Sequence, residues 1–420
     1  MSDPQRRKLC VMGLGYIGLP TASLLASKGF EVQGVDVDPT VVETINAGRI
    51  HIREPELDLL VKSAVQSGRL EAALQPTAAD IFILAVPTPF QDGYVPNLEY
   101  VEAATRAVAP HLAPGNLVIL ESTSPVGTTE QVAHWLAEER PELVIAGHDD
   151  RQAESDGAIR VAHCPERVLP GRIIRELVDN DRIVGGVDAA STTAAADFYY
   201  EFVAGKVLTT DSRTAELTKL TENSFRDVNI ALANELSQIC DHLGVDVWEL
   251  IRLANHHPRV EILSPGPGVG GHCIAVDPWF IIHSAPEHSR LIRTARAVNT
   301  AQPEFVVAKA RAKAARIRNP TIACFGLAYK ADIDDLRESP AIEIALHLAR
   351  EGNGCLLAIE PHIEILPTPL AKAGVRLCGA EEALAEADIM LGLVAHKRFR
   401  KLSRQALQEK IVIDTCGMWR

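Results

Sequence analysis

Lys8–Asp36 reads KLCVMGLGYIGLPTASLLASKGFEVQGVD, and this stretch decides the fold. A short apolar run, Lys8–Met12, leads into Gly13-Leu14-Gly15-Tyr16-Ile17-Gly18. A helical stretch then ends at Gly29, and Glu31–Asp36 reads as a second strand. Pro20 falls in the first helical turn, where its missing N–H is not needed. A G-x-G-x-x-G spacing alone is weak evidence, but between a strand and a helix each glycine has a task. One makes the tight turn, one lets a pyrophosphate approach, and one lets helix and strand pack closely. The pyrophosphate would rest on the helix N-terminus, where unpaired N–H groups and the dipole favour an anion. Asp36, twenty-three residues beyond Gly13, would accept hydrogen bonds from the adenosine ribose and repel a 2′-phosphate. NAD is therefore expected over NADP.

The alternation continues outward from this unit. Asp80–Val86 is an apolar strand ending in Pro87-Thr88-Pro89, Leu117–Glu121 is another ending in Ser122-Thr123-Ser124-Pro125, and Ala158–Cys164 leads into Pro165-Glu166-Arg167. An open α/β sheet binds ligands at the C-terminal ends of its strands, so Thr88, Thr123 and Glu166 are expected on one rim. Gln91–Pro96 reads as a loop. Residues 206–243 hold neither glycine nor proline. After a short strand at Lys206–Leu208, Asp211 or Ser212 is placed to cap a helix of about thirty residues. Its apolar positions Leu217, Leu220, Val228, Leu232, Leu236, Ile239 and Leu243 recur at helical spacing as one stripe, and Lys219 and Asn223 share a face.

A second helical stretch, about Arg290–Ile317, is expected to kink or break at Pro303. Alternation then restarts, with strands at Thr321–Phe325, Gly354–Ile359, Asp388–Val394 and Ile411–Asp414 and a helix from Pro340. The first turn of this half lacks a complete G-x-G-x-x-G and carries Lys330, Asp334, Asp335, Arg337 and Ser339, so it is expected to take a ligand other than the dinucleotide. The fold class is α/β: two Rossmann-like doubly wound domains, residues 1–205 and 318–420, joined by a central long-helix region, residues 206–317.

Between the two helical stretches lies Pro265–Pro278, PGPGVGGHCIAVDP. Gly266, Gly268, Gly270 and Gly271 precede His272-Cys273, and Asp277 follows four residues later. A glycine run ending on a thiol reads as a tight loop presenting one nucleophile to a ligand; the plain alternative is a surface loop ending in a small buried cysteine.

Composition narrows the classes. At 420 residues the chain exceeds one ordinary core, and 47% hydrophobic with 23% charged residues is the balance of a water-soluble globular protein. A net charge of −13 argues against a nucleic-acid partner. Eight scattered cysteines with no CxxC pair fit neither a zinc ribbon nor a disulfide framework. Adjacent His256-His257 and the His272-Cys273 pair lack metal-ligand spacing, so no metal is expected. With no secretion signal and no stretch of eighteen apolar residues, a reducing cytoplasm away from membranes is the expected address.

GLGYIGLP at Gly13–Pro20, VPTP at Val86–Pro89, ESTSPVG at Glu121–Gly127, CPERVLPG at Cys164–Gly171, KLTEN at Lys219–Asn223, GPGVGGHCIAVDPWF at Gly266–Phe280 and GLAYKADIDDLRESP at Gly326–Pro340 follow one another in this order. In these motifs the chain resembles the nucleotide-sugar 6-dehydrogenases, the group of UDP-glucose and GDP-mannose dehydrogenases, over nearly its whole length. The resemblance implies oxidation of a primary alcohol to a carboxylate with two NAD+, through a cysteine thiohemiacetal and thioester. It makes Cys273 the nucleophile, Lys219 the stabiliser of oxyanion charge, Asn223 a holder of substrate oxygen or water, and Asp277, Glu166 and Thr123 the groups around the protons and the hydrolytic water. Gly13, Gly15, Tyr16, Ile17, Gly18, Asp36, Thr88, Thr123 and Arg337 fall to the cofactor. Glu166, Arg167, Lys219, Asn223, Arg259, Gly270, His272 and Lys330 fall to the substrate, with Arg259 reaching the diphosphate across a subunit boundary.

Departures from the UDP-glucose pattern, at Val41, Pro170, Val276 and Asp414–Gly417, together with HHPRV at His256–Val260, point to a UDP-N-acetylhexosamine, UDP-N-acetyl-D-mannosamine foremost, with N-acetylglucosamine and other nucleotide-sugars as alternatives. The product would be a polysaccharide precursor and the assembly a homodimer around the long helix. Two rival classes remain: a two-electron hydroxyacid-type dehydrogenase of the same architecture, which would not use the cysteine, and a non-catalytic NAD-binding sensor. Trp279 and Phe280 read as core rather than as a stacking platform.

Overall fold

The computed structural model of the chain describes residues 7–148, 157–271, 273–350, 352 and 354–420. By contacts it divides into two units, Met1–Thr221 with Trp279–Ser284, and Glu222–Pro278 with Ala285–Arg420.

The first unit is built on an eight-stranded sheet. Its strands are β1 (Lys8–Met12), β2 (Glu31–Val35), β3 (Leu70–Ala73), β4 (Ile81–Leu84), β7 (Leu117–Leu120), β8 (Arg160–His163), β9 (Arg182–Gly186) and β10 (Val207–Asp211). The order is β10-β9-β8-β7-β4-β1-β2-β3. From β3 to β8 all neighbours run parallel, whereas β9 pairs antiparallel to β8, with β10 parallel to β9. Alternate residues of β1 feed two apolar layers: Leu9 and Val11 join one, Cys10 and Met12 the other. A strand buried on both faces belongs inside a parallel sheet with helices on either side. The segment expected to be a loop, 91–96, is instead part of a small hairpin, β5 (Phe90–Gln91) with β6 (Val95–Pro96), turned by Tyr94 at φ +61°.

The second unit carries a five-stranded parallel sheet, β11 (Thr321–Phe325), β12 (Cys355–Ile359), β13 (Arg376–Leu377), β14 (Ile389–Gly392) and β15 (Ile411–Asp414), in the order β13-β12-β11-β14-β15. Its crossing pattern repeats that around β1. Ile322 and Cys324 face one apolar layer, Ala323 and Phe325 the other.

The long helix spans Ser212–Leu243 and is capped by Asp211, whose Oδ1 accepts the Thr214 N–H at 2.9 Å. The apolar stripe read in the sequence is only partly buried within the chain. Leu220 is buried, but Leu217, Leu232, Ile239 and Leu243 are exposed, as is Phe225 at 68%. The buried face carries Glu216, Ser224, Asp227 and Asn234 instead. Such groups stay buried only when paired, and Glu216, Asp227 and Asn234 are. Of the expected kink or break at Pro303 the break is absent, since the helix Arg290–Ala314 continues through it. Proline removes one hydrogen bond, but side chains just upstream, Asn299 and Gln302, bond to groups on the long helix.

Candidate active site

In the first unit the switch point of the sheet lies between β1 and β4, and the loops leaving both strands carry expected cofactor residues. Gly13 has φ +88°, and a Cβ there would lie 2.6 Å from the Ala85 carbonyl oxygen. Gly18 is tighter still, since its Cβ would sit 1.8 Å from the Gly13 oxygen. A Cβ at Gly15 would meet nothing within 4 Å, so the middle glycine faces open space where a dinucleotide can approach. Tyr16 and Ile17 complete the turn, with Tyr16 exposed, and the helix Gly18–Ser27 begins with no side-chain cap and no acid in its first turn. Its N-terminal dipole is thereby left for an anion. Asp36 holds the turn: Oδ2 accepts the Leu14 N–H at 2.9 Å and Oδ1 the Asp38 N–H at 3.0 Å.

Thr88 and Thr123 meet on the rim, Thr88 Oγ1 donating to the Thr123 carbonyl at 2.5 Å. Glu166 follows β8, the strand beside β7, but its carboxylate is buried and committed. Oε2 accepts from Arg182 Nη1 at 2.9 Å and Oε1 from the Arg167 N–H at 2.6 Å. Arg167 Nη1 donates to the Asp181 carbonyl at 3.1 Å. Lys219, on the long helix, is half-buried and belongs by contacts to this unit, one turn before Asn223 in the other.

In the second unit the glycine-rich loop ends on an exposed Cys273. The Cys273 carbonyl accepts the N–H groups of Val276 at 3.0 Å and Asp277 at 2.9 Å, starting the helix Asp277–Ser284. Asp277 is buried, and its Oδ2 accepts from Asn223 Nδ2 at 2.5 Å. His272 lies outside the described residues. The glycines make room for the chain's own second motif, which the sequence reading had not foreseen. A Cβ at Gly270 would come 2.3 Å from the Glu338 carbonyl, one at Gly271 2.8 Å from the Tyr329 ring, and one at Gly268 3.0 Å from Pro340. Loop 266–277 and loop 326–340 are thus packed together within one unit. Arg337 in the second of these is bound by Asp335, Nη2 to Oδ2 at 2.6 Å. Lys330 and Arg259 are exposed.

The other cysteines are poor rivals. Burial pushes the Cys10, Cys164 and Cys324 thiols up to about 12, and burial also raises Cys378 and Cys416. The thiolate is the nucleophile, so such groups are inert near neutrality. Cys355 is exposed but opens β12, at the strand end away from the ligand-binding rim.

Asp332, His362 and His396 bring one ligand atom each within 4.8 Å of one another. Both His396 nitrogens are engaged by the fold: Nδ1 accepts the Asp332 N–H at 2.9 Å and Nε2 lies 3.1 Å from Glu360 Oε2. No helix among the described residues is long and apolar enough to cross a membrane.

Three family models cover most of the chain: the UDP-glucose/GDP-mannose dehydrogenase family NAD binding domain at residues 7–203, its central domain at 213–301 and its UDP binding domain at 323–420. The chain belongs to this family. It is 58% identical over 417 residues to an NDP-N-acetyl-D-galactosaminuronic acid dehydrogenase of Ralstonia nicotianae, covering 99% of this chain and 97% of the relative. It is 56% identical over 397 residues to a UDP-N-acetyl-D-mannosamine dehydrogenase of Campylobacter jejuni, covering 94% and 97%. A solved UDP-D-ManNAc dehydrogenase from Pyrococcus horikoshii superposes with a TM-score of 0.86 at 38% identity, covering 98% of this chain and 96% of that one. The turn around Gly15 and Asp36 therefore belongs to an NAD-binding domain.

Two features of this family member escaped the sequence reading. Glu216, buried on the long helix, accepts from the Gly127 N–H at 2.6 Å and from the N–H and Oγ1 of Thr129 at 2.7 and 2.6 Å. It thereby fixes the loop that follows Thr123, and its position four residues after Ser212 resembles any helix glutamate. Trp279, expected in the core, stacks on Tyr94 with centroids 4.0 Å apart and planes 3° from parallel. Phe280 is fully buried as expected.

Proposed function

We propose that this chain oxidises the C6 hydroxyl of a UDP-N-acetylhexosamine, UDP-N-acetyl-D-mannosamine foremost, to the uronic acid with two NAD+, making a polysaccharide precursor in the cytoplasm. The observation that carries the proposal is an exposed Cys273 four residues before a buried Asp277 that Asn223 holds at 2.5 Å. NAD+ would supply the hydride acceptor, and the residues assigned to hold it are Gly13, Gly15, Tyr16, Ile17, Gly18, Asp36, Thr88, Thr123 and Arg337. The Cys273 sulfur adds to the C6 aldehyde formed in the first oxidation, and Lys219 offsets the charge on its oxygen. Loss of a second hydride from that carbon leaves a thioester, and water cleaves the C–S bond to give the carboxylate and restore the thiol.

Asp277 and Thr123 are assigned to the hydrolytic water. Both Glu166 oxygens hold the rim together, and breaking its buried pair with Arg182 would cost about 3–5 kcal/mol. Glu166 thus orders the substrate side with Arg167, while Asn223, Gly270, His272, Lys330 and Arg259 contact the sugar nucleotide. The three functional segments are residues 1–205, 206–317 and 318–420. Supporting a homodimer, the long helix exposes Leu217, Phe225, Leu232, Ile239 and Leu243, and Phe225, Leu232 and Ile239 lie seven residues apart, the repeat of a helix–helix seam. The occupant proposed for this face is the same helix of a second copy.

A galacto-configured substrate is the second reading, favoured by the 58% identical relative. A panel of UDP-N-acetylhexosamines assayed by NADH absorbance tests both. Two NADH per sugar are expected; one would indicate a simple alcohol dehydrogenase, and none a binding protein.

A further inference from the structure

The cysteine loop is tied to the long helix at both ends by asparagines. At its far end Asn223 Nδ2 donates to Asp277 Oδ2 at 2.5 Å, and at its near end the Gly266 N–H donates to Asn234 Oδ1 at 2.9 Å. Asn223 and Asn234 are eleven positions apart. Eleven residues are about three helical turns, ~16 Å along the axis, so both amides project from one face. Residues 266–277, with Cys273 among them, are strung between these two points.

The near attachment is the end of a buried relay whose polarity can be worked out. Arg296 Nη1 donates to Asp227 Oδ1 at 2.6 Å, which makes that carboxylate an acceptor. Asn299 Nδ2 must then face it, donating to Asp227 Oδ1 at 2.8 Å and to the Asp227 carbonyl at 3.0 Å. Asn299 Oδ1 is left to accept from Asn234 Nδ2 at 2.9 Å, and Asn234 Oδ1 to accept the Gly266 N–H, which can only donate. From the other helix Gln302 Nε2 donates to the Gly266 carbonyl at 3.1 Å, while its Oε1 accepts from Gln238 Nε2 at 2.8 Å. One glycine therefore has its N–H and its C=O each gripped by a buried side chain, one from each helix.

Apolar residues could fill this interior with less desolvation, so packing alone does not account for a chain of amides ending on a loop. We propose that Asn234, assisted by Gln302, is a positioning residue: it fixes the root of the loop and so sets where the Cys273 sulfur reaches. The proposal rests on Cys273 being the nucleophile. Displacing a reacting atom by about 1 Å can lower a rate by about a hundredfold, so a loosened root acts on turnover rather than on cofactor binding.

Asn234→Leu keeps the branching and heavy-atom count of the side chain and removes both hydrogen bonds; Gln302→Met removes only the second grip. For Asn234→Leu, kcat with the sugar nucleotide should fall about ten- to a hundredfold while KM for NAD+ is unchanged. Hydrogen exchange of residues 264–273 should quicken about tenfold with the flanking helices still protected. Gln302→Met should shift both readouts the same way and less, and the double variant should lose less than the product of the two, because both act through Gly266. Turnover within about twofold of wild type, or a loss matched by lost NAD+ affinity and lost helix protection, overturns the proposal. Should Asn234→Leu not fold, Gln302→Met decides by the same criteria. A wild-type chain that makes no NADH from any nucleotide-sugar defeats the functional reading, and the exchange experiment still judges the clamp. Two NADH per sugar with unaltered loop exchange in both variants defeats the clamp alone.

Discussion

Replacing Glu121 by Gln should stabilise the protein in weak alkali and leave it nearly unchanged in weak acid. Glu121 directly follows β7 and is 2% exposed; Oε1 accepts from the Tyr199 hydroxyl at 2.7 Å, and Oε2 has no hydrogen-bond partner among the described residues. Burial pushes its carboxyl up from 4.5 to about 7, opposed by the Arg182 guanidinium and reinforced by Glu166. Arg182 is already neutralised by Glu166 at 2.9 Å, so an ionised Glu121 leaves a net buried negative charge. A carboxyl whose pKa is higher in the folded state favours folding while protonated. That contribution is full below pH 4.5, fades as pH rises, and is gone above about 7. At about 1.4 kcal/mol per pH unit the gap is worth roughly 3 kcal/mol. The amide keeps the Tyr199 hydrogen bond and cannot ionise. Urea unfolding of both proteins should therefore give a variant-minus-wild-type difference about 2 kcal/mol larger near pH 8 than near pH 5. Titrating groups away from Glu121 are common to the two proteins and cancel. An equal difference at both pH values, or a variant less stable near pH 8, would refute the reasoning.

Three further outcomes follow from the proposed site and assembly. Cys273→Ser should lower uronic acid formation at least about a thousandfold, because a hydroxyl is a poor nucleophile near neutrality; near-native product by mass spectrometry would reject the nucleophile. Lys219→Ala should lower kcat about a hundredfold and change KM less than about threefold, as expected of a charge acting on the developing oxyanion; the reverse pattern in steady-state kinetics would make it a binding residue. Phe225→Glu with Leu232→Glu should convert a dimer into chains of 45.5 kDa by sedimentation, and a wild-type protein that already sediments at that mass removes the dimer.

How far the sequence could be read depended on how local each cause is. The turn at Gly13–Gly18 was legible because strand, glycines and helix constrain one another within a few residues. The reversal of β9 was not: RIVGG is a short apolar run whichever way it points, and its direction is set by pairing with β8. The long helix and its stripe of leucines were legible, but the polar face it buries was not, because Asp227 and Asn234 are drawn inward by Arg296 and Asn299, some seventy residues further on. In the site, the exposed cysteine loop was legible from glycines before a thiol, yet the bodies filling the space beside those glycines, Tyr329 and Pro340, come from the next motif. Glu166 looked like an available acid because its partner, Arg182, lies on the strand that was not foreseen.

The two halves use one device to different ends, and the difference bears on the chemistry. In the first, the Gly13 N–H meets the Val35 carbonyl at 2.8 Å and the Leu14 N–H meets Asp36; in the second, the Gly326 N–H meets the Ile359 carbonyl at 2.8 Å and the Leu327 N–H meets Glu360 at 2.8 Å. Asp36 still stands beside an open Gly15 and an uncapped helix. Glu360 is used up, since it also receives the N–H groups of Ala328 at 3.0 Å and His362 at 3.1 Å and lies 3.1 Å from His396 Nε2. The next helix there begins only at Pro340, leaving no helix terminus at the turn to receive a pyrophosphate. Among the described residues there is then one dinucleotide turn, and in the proposed reaction two hydrides per sugar leave through it in succession. Between them the spent cofactor has to be exchanged while a reactive aldehyde waits. A covalent hold on that carbon is what makes the exchange possible without losing the intermediate, and an exposed thiol on a loop anchored at both ends is suited to provide it.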